Sequence, residues 1–227
     1  IDPNELRRVQ DRCSHLLEFA DIFYREYLLK DTGKSRWADK TPNNVHAIER
    51  LLTWYPNGRF IHILRDGRDV VCSLRHHPRQ KYIKGRLVDT QVTNSISMCS
   101  MRWLEDTSRG LAFQNHPRYL EVRYEDLVRE PGAVLRRVCE FLGEEPTEKM
   151  LEVESIVSDQ HLEGRLMCNA NAADPISRSS IGRWTRDLSL NERHEFLDVA
   201  GELLLALGYV SDHEWVNEKT ADWATSP

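Results

Sequence analysis

The sequence has no CxxC pair, and its five cysteines (Cys13, Cys72, Cys99, Cys139, Cys168) are odd in number and far apart. That argues against a zinc cluster or a thioredoxin-type centre and favours a reducing compartment. No Asn-x-Ser/Thr sequon occurs, which fits the same setting. No apolar run approaches the roughly 18 residues of a membrane span. Ile1–Arg12 is mostly polar and charged, without the apolar segment of a signal peptide. Positive charge is not in excess: 31 Lys and Arg face 36 Asp and Glu, a net charge of -5, which excludes general nucleic-acid binding. Repeats, low-complexity tracts and long linkers are also lacking. What remains is 227 residues, 40% hydrophobic and 30% charged, the composition of a globular chain long enough for a real core. The expectation is one domain over residues 1–227.

Apolar residues recur at helical spacing from Asn4 to Leu29, predicting a helix there. Thr41-Pro42 reads as an N-cap followed by Pro at the first helical position, with Val45, Ile48, Leu51, Leu52 and Tyr55 continuing the period until Pro56-Asn57-Gly58. Arg59–Leu64 is short, β-rich and apolar on both parities except for His62, as a buried parallel strand would be. A sharp turn leads into a helix carrying Val70, Val71 and Leu74. Asn94–Leu111 reads as a long helix and Tyr119–Val122 as a second strand. Pro131–Leu142 is a helix stopped by Gly143, and Asn191–Leu207 a last helix with a capping box of Ser189 and Glu192, closed by Gly208. Strands separated by helices predict an α/β domain whose central parallel sheet is flanked by helices.

Arg59–Arg86 is the most informative segment. Eight Lys and Arg stand there against Asp66 and Asp69, a local balance of +6 that leaves -11 to the remainder. A basic patch in an acidic protein points to a small anionic ligand. Arg65 closes a strand, ligands of open α/β sheets sit at the carboxyl ends of strands, and the following helix offers free N–H groups to a phosphate. Ser73 could add a hydroxyl. The plain alternative is that Arg65 pairs with Asp66 or Asp69.

Residues 60–73, FIHILRDGRDVVCS, resemble the 3′-phosphate-binding strand, turn and helix of the sulfotransferases that use 3′-phosphoadenosine 5′-phosphosulfate (PAPS), with Arg65 and Ser73 at the family's Arg and Ser positions. Three further stretches resemble family elements in the right order. Residues 37–42, Trp-Ala-Asp-Lys-Thr-Pro, match the Lys-Thr element. Residues 123–127, Arg-Tyr-Glu-Asp-Leu, match the Tyr-Glu-Asp element, whose Tyr lies by the adenine. Residues 177–184 are similar to the late loop Arg-Lys-Gly-x-x-Gly-Asp-Trp that closes over the 3′-phosphate, with Gly182 and Trp184 aligned and Ser177, Ser179 and Arg183 departing from the pattern. The flavour is that of the bacterial and tyrosylprotein-type branch.

The resemblance implies a P-loop nucleotide-kinase-like sulfotransferase fold and transfer of a sulfuryl group from PAPS to a hydroxyl acceptor, without a metal. The acceptor could be a small metabolite, glycan, acyl chain or peptide tyrosine. Lys40 becomes the catalytic cation beside the sulfuryl group. Arg65, Ser73, Tyr124, Arg178, Gly182 and Arg183 become the nucleotide-binding residues, with Arg178 favoured over Arg183 as the late-loop cation. Each has a plainer alternative: Lys40 paired with Asp39, Ser73 bonded to its own backbone, Tyr124 packed in the core, Thr41 capping its helix. Arg75 and Arg79 are further phosphate candidates.

The family's Gly-rich, P-loop-like turn for the 5′-phosphosulfate is not found in these 227 residues; Gly33-Lys34-Ser35 lacks the upstream Gly and a preceding strand. No general base is named: Pro42 stands at the position of the aryl branch's His, and His46 lies one turn on. Two other readings remain, a non-catalytic nucleotide-binding or scaffold protein of this fold, and a nucleotide kinase. The expected compartment is cytoplasmic, or a Golgi lumen in a eukaryote. The segment His76–Thr93 is the candidate acceptor loop.

Overall fold

The computed structural model describes residues 2–77, 79–83, 86–90, 93–151 and 178–217. It divides into two compact units, Ile1–Gly58 and Arg59–Pro227.

The first unit is helical. The single helix expected over Asn4–Leu29 is two, α1 (Pro3–Gln10) and α2 (Leu16–Phe23), the latter running into a π-helical turn, Tyr24–Leu28. Local hydrogen bonds that apolar periodicity does not report cause the break. Glu18 accepts from both the amide and the hydroxyl of Ser14, and the Glu18 amide donates to His15 Nδ1, so a fresh N-terminus is capped inside the apolar run. An extended stretch leads to Pro42–Ala47, a 3₁₀ turn with Pro at its start, and then α3 (Ile48–Trp54).

The second unit holds the sheet. β1 (Phe60–Leu64) pairs in parallel with β4 (Tyr119–Arg123), Leu64 opposite Arg123. Between them run α4 (Gly67–Arg75), an antiparallel hairpin of β2 (Arg79–Ile83) and β3 (Arg86–Thr90), and α5 (Ile96–Leu111). The hairpin falls in the segment expected to be an acceptor loop. After β4 come α6 (Tyr124–Arg129), α7 (Pro131–Leu142), α8 (Trp184–Asp187) and α9 (Leu190–Ala206). This is the expected α/β arrangement. β1 is less buried than its composition predicts: Ile63 is 49% exposed, since β1 pairs only with β4 among the described strands.

End signals fall where the sequence puts them. Gly143 adopts φ +69° at the end of α7, a conformation a Cβ disfavours, and the Glu144 amide closes the helix on Cys139. The Ser189–Glu192 capping box opens α9. The core lies where α4, α5, α8 and α9 meet: Val71, Cys72, Ile96, Cys99, Trp103, Trp184, Phe196, Ala200, Leu204 and Trp215 are buried together. Asn94 ties the end of α4 to the start of α5, donating to the carbonyls of Leu74 and Arg75. Among the described residues no helix is long and apolar enough to cross a membrane.

Candidate functional site

The parallel register decides what meets at the carboxyl end of the sheet. Leu64 lies opposite Arg123, so Arg65 and Tyr124 leave adjacent strands side by side. The Arg65 guanidinium sits 4.4 Å from the Tyr124 ring centroid, a cation–π contact. Residues 178–180 form a 3₁₀ turn that reaches both: Arg65 donates to the Ser180 carbonyl at 2.6 Å, and the hydroxyls of Tyr124 and Ser180 are 2.8 Å apart. Three stretches far apart in sequence thus converge at one point.

The two acids beside Arg65 are committed elsewhere. Asp66 caps α4 by accepting the Arg68 amide and holds the Arg68 guanidinium through both Nε, at 3.0 and 3.3 Å, and the terminal nitrogen, at 2.7 Å. That guanidinium is buried between the rings of Trp184, 3.9 Å away, and Trp215, 4.8 Å away. Asp69 is fully buried and accepts the amides of Gly182 at 2.8 Å and Trp184 at 3.1 Å. Burial, with the neighbouring Asp66 charge, pushes its carboxyl up to about 6, against the pull of the two amides and Arg65. Among the described residues Arg65 therefore has no direct carboxylate partner, and its buried Nε has no hydrogen-bond partner.

The backbone here is pinned from several sides. Trp103 Nε1 donates to the Arg65 carbonyl at 3.1 Å, and the Asp66 amide donates to Glu125 Oε1 at 2.9 Å. Glu125 is itself buried and accepts the Tyr209 hydroxyl at 3.1 Å. Burial, then the Glu125 charge, raises Tyr209 far above a normal phenol.

The expected site residues fare differently. Arg65, Tyr124 and the segment beginning at Arg178 come together; the Arg178 side chain is outside the described atoms, as is Ser177. Ser73 is exposed on α4, about two turns beyond Asp66. Gly182, at φ +72°, spends its amide on Asp69. Arg183 is paired with Asp187 at 2.7 Å, and Arg75 with Glu192 at 2.6 Å. Arg79 lies on β2, with its side chain undescribed.

In the first unit, Lys40 is exposed. The expected alternative, a pair with Asp39, is not formed: one Asp39 oxygen accepts the Thr41 hydroxyl at 3.1 Å and the other the Asn44 amide at 2.7 Å. Thr41 therefore bonds Asp39 instead of capping its helix with its side chain. Trp37, three residues before Lys40, stacks on Tyr24 with centroids 4.3 Å apart and donates to Asp21, anchoring the strand of chain that carries the lysine. Among the described residues no group of three His, Cys, Asp or Glu could hold a metal ion.

Asp69, Ser180, Arg68 and Glu125 were given no site role by the sequence reading. The alternation of Asp and Arg over residues 65–69 signals an ion network, but only the fold shows which acid serves which partner.

Comparison with known proteins follows the same lines. A model described as the sulfotransferase family matches residues 3–148. Nodulation protein NoeE of Sinorhizobium fredii is 28% identical over 214 residues, covering 88% of this chain and 50% of that protein. A putative protein-tyrosine sulfotransferase of Caenorhabditis elegans is 26% identical over 178 residues, 77% of this chain and 65% of its own. The chain therefore spans half to two thirds of these relatives. The sulfotransferase domain of the Synechococcus PCC 7002 olefin synthase shares the fold, with a TM-score of 0.55 at 22% identity over 82% of this chain and 63% of its own.

Proposed function

The chain belongs to the sulfotransferase family, and on that premise we propose that it moves a sulfuryl group from PAPS to a hydroxyl acceptor, releasing 3′-phosphoadenosine 5′-phosphate (PAP) and a sulfate ester. The acceptor oxygen forms a bond to sulfur, the bond from sulfur to the 5′-phosphate oxygen breaks, and the acceptor proton leaves to a base. Lys40 neutralises charge developing on the oxygens around sulfur, where a cationic donor is worth most. Arg65 binds the 3′-phosphate, Tyr124 packs on the adenine, and Ser73 and the 178–183 segment complete the nucleotide site, with Arg178 its cation. Acceptor classes that suit the reading include a peptide tyrosine, as named for the nematode relative, and hydroxyls of glycans, acyl chains or small metabolites. A cytoplasmic setting suits thiols such as Cys72 and Cys139, which stay reduced there.

The observation that supports the nucleotide site best is Arg65 itself. It ends a parallel strand, its acidic neighbours are engaged elsewhere, and its buried Nε has no partner among the described residues. Guanidinium geometry suits a phosphate better than an ammonium does. Calorimetric titration with PAP and 5′-AMP, at fixed salt, tests this. PAP should bind in clear preference. Arg65→Ala should cost PAP roughly 2–4 kcal/mol and leave 5′-AMP nearly unchanged. Equal losses for both nucleotides remove Arg65 from the 3′-phosphate, and no preference in the unaltered chain defeats the reading.

A further inference from the structure

Asp69 is a fully buried carboxylate in the first turn and a half of α4, yet among the described residues it makes no ion pair within hydrogen-bond reach. Both its oxygens are spent on backbone amides more than a hundred residues away, those of Gly182 and Trp184. Ser180, two residues before Gly182, is the residue that Arg65 and Tyr124 both bond. The 180–184 segment is thus fastened at two points: Asp69 holds one end, and the strand-end pair holds the other. Arg183, between the two bonded amides, turns away to Asp187.

We infer that Asp69 is a positioning residue, a latch that holds the Gly182–Trp184 backbone so that residues 178–180 lie across Arg65 and Tyr124. The inference rests on the nucleotide reading of that site. Among the described residues Asp69 is what accepts both of these alternate amides. A carboxylate does so with both oxygens; an amide side chain of the same shape has one acceptor and would turn an N–H donor towards an N–H donor. The latch reading also predicts a sign. A negative charge near a phosphate site should weaken anion binding, so if Asp69 acted only as a nearby charge, its neutralisation would tighten PAP. If it is a latch, neutralisation loosens the segment and weakens PAP.

The test is Asp69→Asn in the full 227-residue chain, read two ways. In calorimetry PAP should weaken about tenfold, the scale set by one lost charge-assisted hydrogen bond, and the preference for PAP over 5′-AMP should shrink. In amide hydrogen exchange without nucleotide, Gly182 and Trp184 should exchange at least tenfold faster while the core amides of α5 stay slow. Tighter PAP binding, or equal weakening of both nucleotides, overturns the positioning role. Unchanged exchange at 182 and 184 overturns the latch itself. If the unaltered chain shows no preference for PAP, it is the site reading that fails, and the exchange arm still judges the latch. Should Asp69→Asn fail to fold, the unaltered chain serves: the amide proton resonances of Gly182 and Trp184 should move together through one midpoint as Asp69 gains its proton, Arg65, Asp66 and Arg183 being the charges around it. Separate midpoints, or no movement, overturn the inference.

Discussion

Gly67 follows the cap of α4, and a side chain there has nowhere to go. A Cβ built at this position would lie 2.5–2.7 Å from three atoms of the Trp103 ring. Trp103 is 4% exposed, packs against Phe196 with centroids 5.8 Å apart, and holds the Arg65 carbonyl through its indole N–H. The ring cannot swing aside without losing that bond and disturbing Phe196, which is fully buried. Overpacking of this kind costs about 1–3 kcal/mol, and the hydrogen bond adds about 1. Removing glycine's freedom from the unfolded chain returns about 0.4–1 kcal/mol. Gly67→Ala should therefore lower stability by about 2–3 kcal/mol in urea unfolding with an unchanged denaturant slope. It should also weaken PAP, because the displaced indole releases the carbonyl of the residue that carries the guanidinium. A variant as stable as the parent would refute the packing argument. A destabilised variant with unchanged PAP affinity would refute the link from Trp103 to Arg65.

Arg68→Ala leaves Asp66 buried without its cation and empties the space between Trp184 and Trp215, so unfolding should cost about 3–5 kcal/mol less. The double variant with Asp66→Ala should lose distinctly less than the sum of the singles, and strict additivity would show the pair to be uncoupled. The pH dependence carries the other expectation. The folded state raises Asp69 from 3.8 to about 6, so between those values it binds more protons than the unfolded chain and stability falls as pH rises. The contribution, about 3 kcal/mol, is present below pH 4 and lost above pH 6. Burial raises Asp187, but hydrogen bonds from Arg183 and Arg186 outweigh it and hold the group low, which gives the opposite slope. The quantity to measure is thus the difference in unfolding free energy between the parent and Asp69→Asn from pH 4 to 7. A difference flat across that window would show that Asp69 is not raised.

How much of this was legible in the sequence depended on the range of the cause. Strand ends, caps and stops are short-range, and the elements they mark fall close to their expected bounds: Ser95 opens α5, Gly143 ends α7, and Ser189 with Glu192 opens α9. The break between α1 and α2 is also local, but apolar spacing is blind to it, because Ser14, His15 and Glu18 make it with polar atoms. The hairpin of β2 and β3 was missed for a related reason: the basic residues of 79–86 obscure the apolar pairs Tyr82-Ile83 and Leu87-Val88. Burial of β1 was overestimated because composition gives a strand's preference and not the number of its neighbours.

The candidate site divides along the same line. The strand-end register alone brings Arg65 beside Tyr124, and both positions follow from the two strand motifs. What the sequence could not apportion was charge. Over residues 65–69 it offers four candidate pairs between Arg65 or Arg68 and Asp66 or Asp69, all feasible at that spacing. Tertiary partners decide among them. Trp184 and Trp215 both receive the Arg68 guanidinium, and Arg68 then takes Asp66. Two amides of the 180–184 segment take Asp69. Arg65 is left at the end of the sheet with a buried Nε that has no partner among the described residues. Its availability is therefore a product of the whole packing arrangement: any change that freed Asp66 or Asp69 would give Arg65 an acid to pair with, and an anion would then have to compete for it.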